Sequence, residues 1–329
     1  MKRLVLAIPP LLAVILACGG GNDNLPPPPP PPPPPPEVSA TPAPVAPSAL
    51  ADAAPAAPAL PAVLLGPGTP SPDPAAPLPV VKIAAPRSDE IIAQDKASDF
   101  NVKLDVKNWQ TAPGSQHVHL ILDNKPYKAI YDTKAGVKLS ELSGGPLDEG
   151  QHVLVAFPSR ANHESVKAKD SVAILSFFVG KKGELKTDIK KPMLIYSRPK
   201  GDYKGDMANH VLIDFQLANV ALAEGKEHVH VLVTGPGIDK ELTAHVTKFG
   251  PPLYLDNLRN GTYELKLELE GADDKVLPGP WNATTRTIQV DHDAPTEPMG
   301  HPMGDAGAPT PKPTPKPAPK PAPKPAPKK

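Results

Sequence analysis

The chain has 329 residues, with 50 prolines, a single cysteine, 4% aromatic residues, and 35 basic against 35 acidic side chains for a formal net charge of +0. One cysteine excludes an intramolecular disulfide and a spaced-cysteine metal site, and its position at residue 18, at the end of the N-terminal apolar run, excludes cysteine-ligated blue copper. So few aromatics argue against a stacked-aromatic sugar platform.

At the start, Lys2 and Arg3 precede an apolar run from Leu4 to Ala17. That run has the length of a secretory signal core and is too short to span a bilayer. It ends in Ile15-Leu16-Ala17-Cys18, which resembles the lipobox of bacterial lipoproteins. The resemblance implies removal of residues 1–17 as a signal peptide and acylation of Cys18, the lipid attachment site. Several acyl chains anchor stably where one does not. Gly19 follows the cysteine, and by resemblance to the enterobacterial sorting pattern this implies the outer membrane. An exported chain leaves little role for nucleic acid.

Residues 18–78 read as a proline- and alanine-rich disordered stalk. Pro26 to Pro36 is unbroken, a polyproline rod of about 34 Å at 3.1 Å per residue. Residues 37–78 are poor in charge and aromatics, a composition that cannot bury enough surface to fold on its own.

From about residue 79 the pattern changes to period-two alternation, the signature of half-buried strands. Phe100, Val102, Leu104 and Val106 share one phase; Val211, Ile213, Phe215 and Leu217 share another. A shift of 111 residues superimposes Val102 on Ile213 and His117-Val118-His119 on His228-Val229-His230. It also superimposes Leu147 on Leu258, Gly150 on Gly261, Leu154 on Leu265 and Val179 on Val290. One register matching apolar phase, paired histidines and a glycine indicates tandem duplication. The expected fold class is all-β. Two immunoglobulin-like antiparallel β-sandwiches are predicted over 79–182 and 190–292, with proline-rich disorder on either side. The Leu258-turn-Gly261-x-Tyr263 stretch resembles the tyrosine corner of immunoglobulin-like domains; His152 fills that slot in the first copy.

Residues 293–329 form the second disordered segment. Its 311–329 portion is a Pro-Lys repeat with six lysines and no acid. With these and the two N-terminal cations set aside, residues 18–310 carry −8. The tail is read either as a solubilising extension or as a contact to an anionic envelope polymer such as peptidoglycan or lipopolysaccharide.

The H-V-H pairs put two imidazoles on one strand face, an arrangement that suits copper or zinc when further ligands converge. His117, His119, His152 and His163 are the candidate metal set in the first copy. In the second copy the shift replaces His152 by Tyr263 and His163 by Asp274, so that copy reads as short of ligands. This favours H-V-H as the marker of a strand, with a copper or zinc site in the first copy as the alternative. The first copy also resembles a loose set of uncharacterised bacterial envelope domains. Its matching residues are His117, His119, Leu120, Asp123, Gly150, His152 and Leu154. That resemblance covers about 70 residues and implies a sandwich fold with no established activity. There is no H-E-x-x-H, G-x-S-x-G or phosphate-loop motif, and Gly235-Pro236-Gly237 reads as a turn. The function expected is non-catalytic: a lipid-anchored envelope protein, with no cofactor and no defined small-molecule substrate.

Overall fold

The computed structural model describes residues 60–168 and 170–296. The expected lipid site Cys18, residues 1–59 and the tail from 297, including 311–329, lie outside the described residues.

Among the described residues the regular structure is almost all strand, with short helical turns at Gln94–Ala97, Leu139–Ser143 and Gly205–Ala208. β1 is Leu64–Pro67, followed by β2 (Val80–Ala85), β3 (Ile91–Ile92), β4 (Asn101–Lys107), β5 (His117–Leu122), β6 (Lys128–Ile130), β7 (Val137–Lys138), β8 (Gly150–Ser159) and β9 (Ala173–Val179). The second series runs β10 (Met193–Arg198), β11 (Gly201–Lys204), β12 (His210–Ala218), β13 (His228–Thr234), β14 (Leu242–Val246), β15 (Leu253–Asp256), β16 (Gly261–Glu270) and β17 (Ala283–Asp291).

Two sandwiches result. In the first, the sheet β2-β4-β7 faces the sheet β3-β9-β8-β5-β6. In the second, β1-β15-β12-β10 faces β11-β17-β16-β13-β14. Strands β2 to β9 correspond one by one to β10 to β17, including the short parallel pairings β3–β9 and β11–β17. This is the immunoglobulin-like, fibronectin-III-like arrangement, built twice. The matched glycines Gly150 and Gly261 open equivalent strands at φ 117° and 135°. These are angles that a side chain disfavours.

Each sandwich has its own core. Val102, Val118, Leu120, Leu154 and Phe177 are fully buried in the first; Val229, Val231, Leu255, Leu265 and Leu267 are fully buried in the second. A third apolar cluster joins them. Ile121, Tyr127, Val153, Val155 and Phe157 of the first sandwich pack against Met193, Ile195 and Trp281 of the second. β5, β8 and β10 are therefore covered on both faces, which is why they read as near-continuous apolar runs and not as clean alternation. Polar contacts flank this junction. Asn124 Nδ2 donates to Thr284 Oγ1 at 2.7 Å, Gln216 Nε2 to the Val166 carbonyl at 2.9 Å, and Lys167 Nζ reaches Asp214 at 2.5 Å.

The expected stalk over 18–78 and the expected second-domain span 190–292 both need correction. β1, within the presumed stalk, pairs antiparallel with β15, from Leu64 opposite Asp256 to Pro67 opposite Leu253, and Val63 enters the second core. The chain then crosses to the first sandwich, where Ser71 N donates to the Glu164 carboxylate at 3.2 Å and Arg160 donates to the Pro72 carbonyl at 2.8 Å. The composition argument asks whether a segment can bury its own surface. Ala62-Val63-Leu64-Leu65 instead completes an open sheet edge that already exists. Pro67 sits on the outermost strand, the place where a missing N–H is tolerated.

Trp281 lies in the junction with 3% of its surface exposed. Replacing it with alanine is expected to cost about 3–5 kcal/mol, read by denaturant unfolding of the full chain. A loss below about 1 kcal/mol would place Trp281 outside any packed core.

Candidate functional site

The H-V-H strand β5 alternates as its sequence dictates. Val118, Leu120 and Leu122 enter the first core, while His117, His119 and Ile121 point the other way. That outward face lies beneath the second sandwich, so both histidines are fully buried.

Three imidazoles meet there. His119 Nε2 is 3.0 Å from His117 Nε2 and 3.4 Å from His163 Nδ1. The outer nitrogens are held as well. His117 Nδ1–H donates to the Ser115 carbonyl at 2.8 Å, and His119 Nδ1 is 3.0 Å from Ser197 Oγ on β10. The Tyr127 ring stacks on His119 at 3.5 Å, and its hydroxyl reaches His163 Nδ1 at 3.4 Å. Because His117 donates through Nδ1, its Nε2 carries the lone pair. A hydrogen-bonded chain from the Ser197 hydroxyl through His119 to His117 satisfies the pair with all rings neutral.

Electrostatics favour that neutral state. Burial lowers the His117 pKa to about 4, with Arg198 adding to the effect against the Ser115 carbonyl. Burial also holds His119 and His163 well below the ordinary imidazole value, reinforced by Arg198, Lys200 and the neighbouring rings. Arg198 and Lys200 are 4% and 8% exposed. Two buried cations beside the triad oppose the entry of a third. The arrangement reads best as a polar lock between the sandwiches.

His152 does not join the triad, and the expected four-histidine set is corrected to three. The antiparallel pairing of β5 with β8 sets His117 opposite Ser159. His152 therefore lies about 23 Å away along β8 at ordinary strand rise. The same register brings His163, just past the far end of β8, onto His117, with ring centroids 4.6 Å apart. His152 Nδ1 instead meets Asp123 Oδ2 at 2.6 Å, and Nε2 meets the Asp148 carbonyl at 2.8 Å. The equivalent Tyr263 places its hydroxyl 3.1 Å from the Arg259 carbonyl and 2.8 Å from that of Pro236. Asp148 and Arg259 are themselves related by the 111-residue shift, so histidine and tyrosine fill the same corner. Burial lowers the His152 pKa, but the Asp123 carboxylate and Asp148 carbonyl outweigh it and leave it above the usual value. His152 borders a cleft of about 500 Å³ shared with Asp123, Lys125, Lys186 and Trp281.

The second copy is not short of donors, contrary to the sequence expectation. His245 on β14 and Glu268 and Glu270 on β16 gather around His228 and His230. Sequence reasoning missed them because it carried ligands across by the repeat, and these three positions have no donor in the first copy. The usable signal was the acidic alternation in Glu264, Glu268 and Glu270.

The sequence matches no family model and no curated protein. Among solved structures the chain is similar to fibronectin(III)-like modules of Clostridium thermocellum CbhA, at 16% identity, TM-score 0.23, covering 65% of this chain and 95% of that one. It is also similar to the two tandem V-type regions of VCBP3, a v-region-containing chitin binding protein, at 8% identity and TM-score 0.22, covering 65% and 99%. Domains 4 and 5 of the S-layer protein SbsC match at 8% identity and TM-score 0.17, covering 65% and 97%.

A pH prediction follows from the triad. For these imidazoles the folded pKa lies below the unfolded value of about 6.5. Their contribution to stability is then full above that value and is lost as pH falls toward the His117 value of about 4. Urea midpoints of the full chain should drop over this window, and His163→Gln should show a shallower drop. Parallel curves for the two proteins would mean that the triad carries no linked proton.

Proposed function

We propose that this protein is a lipid-anchored spacer and binding protein of the bacterial cell envelope, without catalytic activity. The observation that carries the reading is the shared core between two immunoglobulin-like sandwiches, flanked by proline-rich sequence. Val153, Val155 and Phe157 against Ile195 and Trp281 make the pair a stiff body, as a spacer requires. The strap from β1 to Ser71 fastens the entering chain across both sandwiches. The buried histidines are held neutral, and the Ser197 hydroxyl beside His119 is itself fully buried, which supports binding over turnover.

In this reading Cys18 carries the lipid and holds the body at the outer membrane. Residues 311–329, with their six lysines, contact an anionic polymer such as peptidoglycan or lipopolysaccharide. At physiological ionic strength charges are screened within about 8 Å. A tail contact of this kind should therefore weaken sharply with added salt.

Substituting Cys18→Ser is expected to move the protein from the membrane to the soluble fraction and to abolish metabolic lipid labelling. Persistent labelling would sink the anchor. Deleting 311–329 should separately remove salt-sensitive capture by purified peptidoglycan or lipopolysaccharide. Unchanged capture would reduce the tail to a solubiliser.

A further inference from the structure

The outward face of β13, β14 and β16 carries a donor cluster that the spacer reading does not use. Here the second sandwich leaves partly open the face that the first sandwich buries: His245 is exposed, with His228 and Glu270 buried beneath it. Strand register builds the cluster: His228 lies opposite Glu270, His230 opposite Glu268, and His230 opposite His245. All five side chains consequently stand on one face.

The contacts are close. His228 Nε2 is 3.1 Å from Glu270 Oε2 and 3.5 Å from Asp274 Oδ1. Ligand atoms of His228, His245 and Glu270 lie within 4.8 Å of one another. Two donors bound at about 2.0–2.1 Å to one tetrahedral ion stand about 3.3 Å apart, so the first two separations already suit a common ion. His228 Nδ1–H donates to the Lys226 carbonyl at 3.0 Å. That outer bond turns Nε2 inward toward Glu270, the usual device for orienting a metal-bound imidazole. It repeats the His117–Ser115 bond of the first copy.

Three further observations separate this place from the first-copy triad. Its neighbours are carboxylates where the triad has Arg198 and Lys200. Glu268 is engaged by Lys266 at 2.7 Å, leaving Glu270 as the available carboxylate. Access is open as well, since His245 is exposed and the Asp274 side chain is 77% exposed. Asp274 occupies the slot that His163 fills in the first copy.

We propose that His228, His245 and Glu270, with Asp274 completing the set, bind one divalent transition-metal ion. Two imidazoles with two carboxylates suit zinc or copper(II) and disfavour magnesium or calcium, which take all-oxygen sites. His230 stacks on His245 with ring centroids 4.3 Å apart and holds Glu270 Oε1 at 3.2 Å, so it positions two of the ligands. A site here would make the spacer a metal-responsive or metal-buffering protein.

The test is calorimetric titration of the detergent-solubilised full chain with zinc and with copper(II). One ion per chain at submicromolar Kd is expected. His245→Ala, an exposed change that spares the core, should weaken binding by roughly tenfold or more, while His163→Gln should leave it unchanged. Cobalt(II) absorption supplies a second readout: the intense visible bands of a tetrahedral site should appear in the parent and fade in His245→Ala. Absence of tight binding, loss of binding in His163→Gln, or full retention in His245→Ala would each overturn the proposal. Magnesium that competes equally would do the same.

Discussion

Everything distinctive in this structure depends on one apolar face, the outward side of β5 and β8. In a free-standing immunoglobulin-like sandwich that side meets water and carries polar residues. Here it carries Ile121, Val153, Val155 and Phe157, and the second sandwich covers it with Met193, Ile195 and Trp281. Each such side chain is worth about 1.5–3 kcal/mol when fully buried, enough for a handful to fix the relation of two domains. The duplicated copy makes the point by contrast. At the positions of Val153, Val155 and Phe157 it has Glu264, Lys266 and Glu268, and that face of the second sandwich stays open.

The same constraint sends the paired histidines to opposite fates. Strand alternation turns both H-V-H pairs away from their cores. In the first copy the outward face is closed, and His117, His119 and His163 sit dry beside Arg198 and Lys200, forced neutral. In the second copy the outward face is acidic and only partly covered, with His245 exposed, and Glu270 meets both His228 and His230. There the His228 pKa is raised, by the Lys226 carbonyl first and then by the carboxylates, against burial. One motif, inherited twice, thus serves as a lock in one sandwich and as a cation-seeking patch in the other.

Much of this was legible in the chain itself. Period-two alternation marks the strands, and the 111-residue shift alone pairs β4 with β12, β5 with β13 and β8 with β16. The tyrosine corner at Tyr263 and its histidine substitute at His152 were also readable, because turn geometry fixes them locally. What escaped were features set by contacts distant in sequence. The joining of β1 to β15 links residues about 190 apart, and an edge strand of two leucines, a glycine and a proline has no signature of its own. The choice of His163 over His152 depended on antiparallel register, which the spacing of histidines does not reveal. The shared core left a trace in the two-phase apolarity of Val153 to Phe157, visible once the two copies are compared position by position.

The central claim is that the two sandwiches unfold as one body because they share a core. Differential scanning calorimetry of the full chain tests it most directly, compared with Val155→Lys, which gives β8 the residue its counterpart carries. The account predicts a single transition with matching calorimetric and van't Hoff enthalpies in the parent, splitting into two in the variant as each sandwich melts alone. Two resolved transitions in the parent, or an unsplit one in the variant, would contradict it.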